Sequence, residues 1–198
     1  MIGSEGSEQL ALGWREWVTF PDWEIAYIKA KIDSGARTSA LHAVRLEWFE
    51  RGGQPWVRFV TFPWQATTED PTTIEARVIA TREIKSSSGD IELRPVVRAQ
   101  IVLAGIHRTI EITLTDRSDM RFRMLIGREA LRENYIIDTG SSYVAGRPPK
   151  AIRRRNRGKG SPDDGPTGKG SPDDGPTGED STAQPPTDTA GSNPETPS

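Results

Sequence analysis

The chain has 198 residues, with 26 Lys+Arg against 28 Asp+Glu, two histidines and no cysteine. The missing cysteine excludes a thiol nucleophile, a cysteine-ligated zinc or iron–sulfur site and a disulfide scaffold. No apolar run approaches the roughly 18 residues of a membrane helix, and Met1-Ile2-Gly3-Ser4-Glu5 lacks a basic segment leading into an apolar one, so a cytoplasmic protein with no membrane partner is expected.

Composition divides the chain at Arg147. Residues 1–147 carry 63 of the 67 apolar residues and every aromatic, whereas residues 148–198 hold four apolar residues and 10 of the 15 prolines. So little apolar surface cannot offset the entropy of ordering the backbone, which predicts a disordered tail over 148–198. Residues 1–11 are expected to be flexible. That leaves one domain over 12–147, long enough to bury a core without a staple.

The period inside this domain is mostly two. Tyr27 to Ile32 places Ile28, Ala30 and Ile32 on one face with Lys29 and Lys31 opposite. Val57 to Phe62, then Ile74, Ala76, Val78 and Ala80, extend the strand pattern, with Gly52-Gly53, Pro63 and Pro71 as punctuation. Ser86-Ser87-Ser88-Gly89-Asp90 reads as a hairpin tip, a candidate flap over a site. Ile91 to Val97, Ala99 to Leu103 and Thr109 to Thr115 complete the strands. Arg128 to Glu133 is the one expected helix. About eight short strands with so little helix predict an all-β barrel or sandwich.

The tail contains the one internal repeat, Gly-Lys-Gly-Ser-Pro-Asp-Asp-Gly-Pro-Thr, from Gly158 to Thr167 and again from Gly168 to Thr177. It is too short and polar to stack as a solenoid and reads as a spacer. Ahead of it lie Lys150, Arg153, Arg154, Arg155, Arg157 and Lys159, followed from residue 160 by one Lys against eight Asp+Glu. The acids would compete for that basic block, so nucleic acid is not the expected partner.

Two stretches carry candidate chemistry. Asp33-Ser34-Gly35-Ala36 follows the alternating strand directly, so its carboxylate is projected from a sheet into a turn where glycine lets backbone amides approach. Met124-Leu125-Ile126-Gly127-Arg128 is an apolar strand running into glycine and a short helix. Each alone is an ordinary turn or junction.

Together, and with Leu12 to Trp17, Lys29 to Ala43, Lys85 to Gly89, Arg94 to Val97 and Leu114 to Leu131, they resemble the bacterial retropepsin-like domain family long labelled "ATP-dependent zinc protease". The resemblance covers nearly all of residues 12–143. It implies an acid-protease-like closed barrel of a single lobe, with Asp33 as the catalytic aspartate and Ser34, Gly35, Ala36, Thr38 and Gly127 supporting the site. It also implies an aspartic endopeptidase acting on peptide or isopeptide bonds of a peptide or protein substrate. One lobe supplies one such aspartate, so this mechanism requires a homodimer that places two Asp33 carboxyls on its axis. Arg37, Ser88 and Gly89 are candidate substrate contacts; Arg37 would either anchor a substrate carboxylate or balance the charge of Asp33.

Asp138-Thr139-Gly140-Ser141 repeats the form of the first turn. Some 105 residues after Asp33 is too early for a second lobe, so a two-lobed enzyme is not expected. No zinc motif accompanies His42 and His107, and no Walker loop is present, so no metal or cofactor is expected. The six tryptophans are expected in the core or an interface. An alternative of another class is a non-catalytic peptide-binding barrel that assists an ATP-grasp amino-acid ligase, the kind of protein with which such domains occur.

Overall fold

The computed structural model describes residues 9–85, 91–132 and 134–157. Eleven strands carry the fold: β1 (Leu10–Gly13), β2 (Arg15–Phe20), β3 (Ile25–Asp33), β4 (Ser39–His42), β5 (Val44–Arg51), β6 (Gln54–Thr61), β7 (Thr72–Lys85), β8 (Ile91–Leu103), β9 (Ile106–Thr115), β10 (Met124–Gly127) and β11 (Tyr135–Asp138). Two helices join them, α1 (Arg128–Leu131) and α2 (Lys150–Arg157).

Six strands in the order β2-β3-β10-β4-β9-β8 close on themselves, because β8 returns to β2 through Val18 opposite Leu103 and Thr19 opposite Val102. Closure leaves these six strands without a free edge between them, which is how a small all-β domain protects its backbone groups. Beyond the ring, β7, β6 and β5 continue the sheet from β8. The first half of β7 pairs with β6 and the second half with β8, and the ladder shifts between Val78 and Ala80 where it changes partner. The expected acid-protease-like barrel of one lobe is therefore the observed architecture.

Period-two patterning explains the core. Ile28, Ala30 and Ile32 of β3 face inward and meet Leu41, Ile112, Leu114, Met124 and Ile126 from the neighbouring strands. Thr113 and Thr115 of β9 are buried as well. Thr113 tolerates this because its hydroxyl donates to the Ser39 carbonyl at 3.0 Å. At the β5–β6 hairpin Gly52 and Gly53 adopt φ of 59° and 71°, the left-handed pair that a tight hairpin of matching twist requires.

Three expectations need correction. Ile91 to Val97 and Ala99 to Leu103 form one strand, β8, which runs through Pro95 opposite Thr81 next to the ladder shift. Leu10 and Ala11, expected in a flexible lead, form β1 and pair in parallel with Tyr135 and Ile136. Residues 150–157, expected in the disordered tail, form α2. Asn156 anchors that helix: it is buried, its Oδ1 accepts from the Gln65 amide at 3.2 Å, and its carbonyl accepts from Ala66 at 3.3 Å. Among the tryptophans, Trp64 is buried and Trp48 is 52% exposed on β5. The hairpin tip with Ser88 and Gly89, the repeat and the remainder of the tail lie outside the described residues.

Candidate active site

Asp33 is the last residue of β3, where the strand leaves the barrel wall. The chain turns back at once, with the Ala36 amide donating both to the Asp33 carbonyl and to its Oδ1, each at 3.2 Å. The carboxyl is thus fixed by its own loop yet remains 25% exposed. Strand β10 lies parallel to β3 with Gly127 in register with Asp33. A Cβ on Gly127 would come within 2.6 Å of the Thr38 carbonyl oxygen, so only glycine lets the two chains approach this closely. The Gly127 amide donates to Ser39 Oγ at 3.2 Å. The next two amides, of Arg128 and Glu129 at the start of α1, donate to the carbonyls of Ala36 and Arg37 at 2.8 and 3.1 Å. The structure therefore brings Asp33, Ala36, Arg37, Thr38 and Gly127 together, with Ser34 and Gly35 exposed at the tip of the turn.

Electrostatics around Asp33 differ from the expectation in one respect. Arg37 does not balance its charge, because the Arg37 Nε donates to Glu129 Oε1 at 2.7 Å and its side chain stays 73% exposed. The cation on Asp33 is Lys31, whose Nζ lies 3.0 Å from Oδ2. Burial pushes the Asp33 carboxyl up, but the Lys31 hydrogen bond, the Ala36 amide, the Lys31 charge and the Gly35 amide outweigh it and hold the carboxyl below the ordinary aspartate range. Lys31 was legible in the sequence only as a solvent-side residue of β3. Its spacing of two from Asp33, which puts both on one strand face, was the available signal.

Arg117 is a second cation that the sequence did not single out. It is 8% exposed and its Nε donates to the Phe122 carbonyl at 3.1 Å, while among the described residues no carboxylate lies within ion-pair distance. Burial and the charge of Arg94 pull its pKa down, and the negative charge of Asp33 works in the opposite sense. His42, also buried, accepts from the Arg117 amide through Nδ1 at 3.0 Å and sits 3.3 Å from Arg123. It packs between these arginines rather than in a ligand set, and His107 is exposed on β9.

The second turn copies the first. Gly13 is in register with Asp138 in the parallel β1–β11 pair, as Gly127 is with Asp33. A Cβ on Gly13 would approach Ser141 to 2.5 Å. Trp14 donates to the Ser141 carbonyl at 3.0 Å, three residues past Asp138, as Arg128 does to Ala36 three past Asp33. The difference is location: β1 and β11 form a separate two-stranded sheet outside the closed ring, and Asp138 is exposed, its carboxyl held low by the Ser141 hydroxyl and the Gly140 amide.

Comparison with known proteins agrees with this geometry. A crystal structure of a protein of unknown function from Legionella pneumophila shares 29% identity, with a TM-score of 0.59 over 68% of this chain and 97% of that one. Proteins named "Probable alpha-L-glutamate ligase" from Shewanella halifaxensis and Parasynechococcus marenigrum are 44% and 36% identical over 135 and 140 residues, covering 68% and 71% of this chain. The chain spans only 30% of the length of each of these two relatives. The family model described as "Retropepsin-like aspartic endopeptidase RimB" matches residues 11–148, and with the Asp33 turn seated against Gly127 the chain belongs to that RimB-like family.

Proposed function

We propose that the protein is an aspartic endopeptidase whose dyad forms from the Asp33 carboxyls of two copies, acting on peptide or isopeptide bonds flanked by acidic residues. The observation that carries the reaction type is Asp33 itself: a carboxyl locked by the Ala36 amide at the rim of a closed barrel and still 25% exposed. Two such carboxyls facing across a twofold axis cannot both ionise easily, so they hold one proton between them. The ionised one takes a proton from a water whose oxygen attacks the scissile carbonyl carbon, and the other donates its proton to the carbonyl oxygen. The resulting diol collapses as the amide nitrogen is protonated, the C–N bond breaks, and an acid and an amine leave.

Acidic substrates are supported by Arg117. A buried guanidinium with no carboxylate partner among the described residues is costly to keep, and an anionic group brought by a ligand beside Asp33 would offset that cost. The relatives' printed names point to glutamate chemistry in the longer proteins that contain this domain. They also support a second reading, a non-catalytic barrel that holds a glutamyl peptide for a ligase partner.

Asp33→Asn separates the two. Incubated with glutamyl peptides, the full chain should generate new amino termini at a specific rate that rises with protein concentration as dimers form. The variant should lose about a thousandfold or more in turnover while binding the peptide. Equal turnover by the variant would overturn the peptidase reading, and peptide binding without any turnover by either protein would establish the second.

A further inference from the structure

The ion pair between Lys31 and Asp33 is at odds with the chemistry just described. One carboxylate oxygen accepts from the Ala36 amide and the other from the Lys31 ammonium, so each already has a donor and the adjacent cation makes the carboxylate a weaker base toward water. The ammonium can leave at little cost, since its side chain is 48% exposed and a solvated pair contributes at most about 1 kcal/mol. Asp33 keeps its position when that happens, because Oδ1 is still held by its own turn.

Other charges bear on the pair. Arg15 of β2 stands opposite Lys31 in the antiparallel ladder, and like charges directly opposite repel. Arg15 is itself tied to Ser142 Oγ at 3.1 Å and lies over the Trp14 ring at 4.5 Å. Arg37 and Glu129 neutralise one another, and the negative charge of Asp33 also acts on Arg117. In the single subunit Asp33 is therefore the carboxylate that answers Lys31, until a ligand supplies another.

We propose that Lys31 gates Asp33: its ammonium caps the carboxylate in the unliganded subunit and passes to an acidic substrate side chain when one binds, freeing Asp33 to share a proton with its counterpart. Lys31 is thus a positioning residue that couples recognition of a negative charge to assembly of the reactive dyad. The proposal rests on the peptidase reading and adds to it a reason why acidic peptides would be turned over as well as bound.

The test uses the full chain as wild type, Lys31→Met and Lys31→Arg. A carbon-13 NMR titration of the Asp33 carboxyl should show a higher midpoint in Lys31→Met than in wild type. A tetraglutamate peptide with a reduced central bond should raise the wild-type midpoint and leave that of Lys31→Met in place. In kinetics, KM for a glutamyl peptide should rise about fivefold in Lys31→Met with an alanyl peptide unaffected, and Lys31→Arg should restore it. For wild type on the glutamyl peptide the pH profile of kcat should lie above that of kcat/KM, because the first reports the complex and the second the free enzyme; in Lys31→Met the two should coincide. Identical NMR midpoints in wild type and Lys31→Met, or equal KM changes for both peptides, would overturn the gate. Absence of hydrolysis by wild type would overturn the peptidase reading instead, and the NMR titration, which needs no turnover, would still decide the role of Lys31.

Discussion

Gly127 shows how strictly one residue can be required. Its missing side chain lets β10 run in register beside Asp33 while its own amide reaches Ser39 and the next reaches Ala36. Gly127→Ala places a methyl within 2.6 Å of the Thr38 carbonyl oxygen, a backbone atom that cannot rotate away. Overpacking of this kind typically costs about 1–3 kcal/mol, and here the displaced segment is the loop that holds the carboxyl. We expect the unfolding free energy from urea titration to fall by that amount and the proposed turnover to be lost beyond the loss of folded protein; unchanged activity would show that the Thr38 loop can yield. Asp33 and Gly127 were visible in the sequence as a local turn and a local apolar-Gly step, each ordinary alone, and their pairing with the family resemblance is what marked them. Arg117 was not, since it lies 84 residues past Asp33 and stands out only by burial without a partner carboxylate among the described residues, which no periodicity announces.

Strands β3 and β9 could be read at the scale of the element because their apolar residues alternate with polar ones along the sequence, although Thr113 and Thr115 of β9 are buried too. β1 and α2 could not. A four-residue strand whose partner lies 125 residues on carries no periodicity of its own, as Leu10 opposite Tyr135 illustrates. Helix α2 is polar along most of its length, and it is held by particular contacts rather than by an apolar face. Asn156 bonds Gln65 and Ala66, and Arg155 pairs with Asp70, which also accepts from the Trp64 indole at 2.6 Å. Composition counts apolar area and so misses anchors of this sort. Asn156→Ala would leave the Gln65 amide without its acceptor, at a cost of about 1–3 kcal/mol. Hydrogen exchange at Gln65 and Ala66 should then accelerate by about tenfold or more with the barrel strands unaffected. Unchanged exchange would mean that the salt bridge to Asp70 suffices.

For the whole molecule, pH sets two limits that pull in opposite directions. A carboxyl held low, as Asp33 is by Lys31 and its turn, would keep a shared proton only in acid, so the proposed peptidase would be best poised below neutrality before substrate binds. His42 opposes this. Burial first, and then the charge of Arg123, lower its pKa from 6.5 to about 4. For a base whose folded value is depressed, the unfolded chain binds more protons between the two values, so stability rises with pH across that window and falls as the medium becomes acid. A difference of about 2.5 units corresponds to about 3 kcal/mol, absent at pH 7 and fully felt near pH 4. The urea midpoint of the wild type should therefore drop between pH 7 and pH 4.5. In His42→Gln, which keeps an acceptor for the Arg117 amide but cannot titrate, that component of the drop should vanish; an identical acid slope in both proteins would remove His42 from the account. On the proposed gate, release of Lys31 to an acidic substrate would lift the proton-sharing range of Asp33 toward the pH at which His42 is neutral and the barrel is firm. Chemistry and stability would then overlap in the complex rather than in the free subunit.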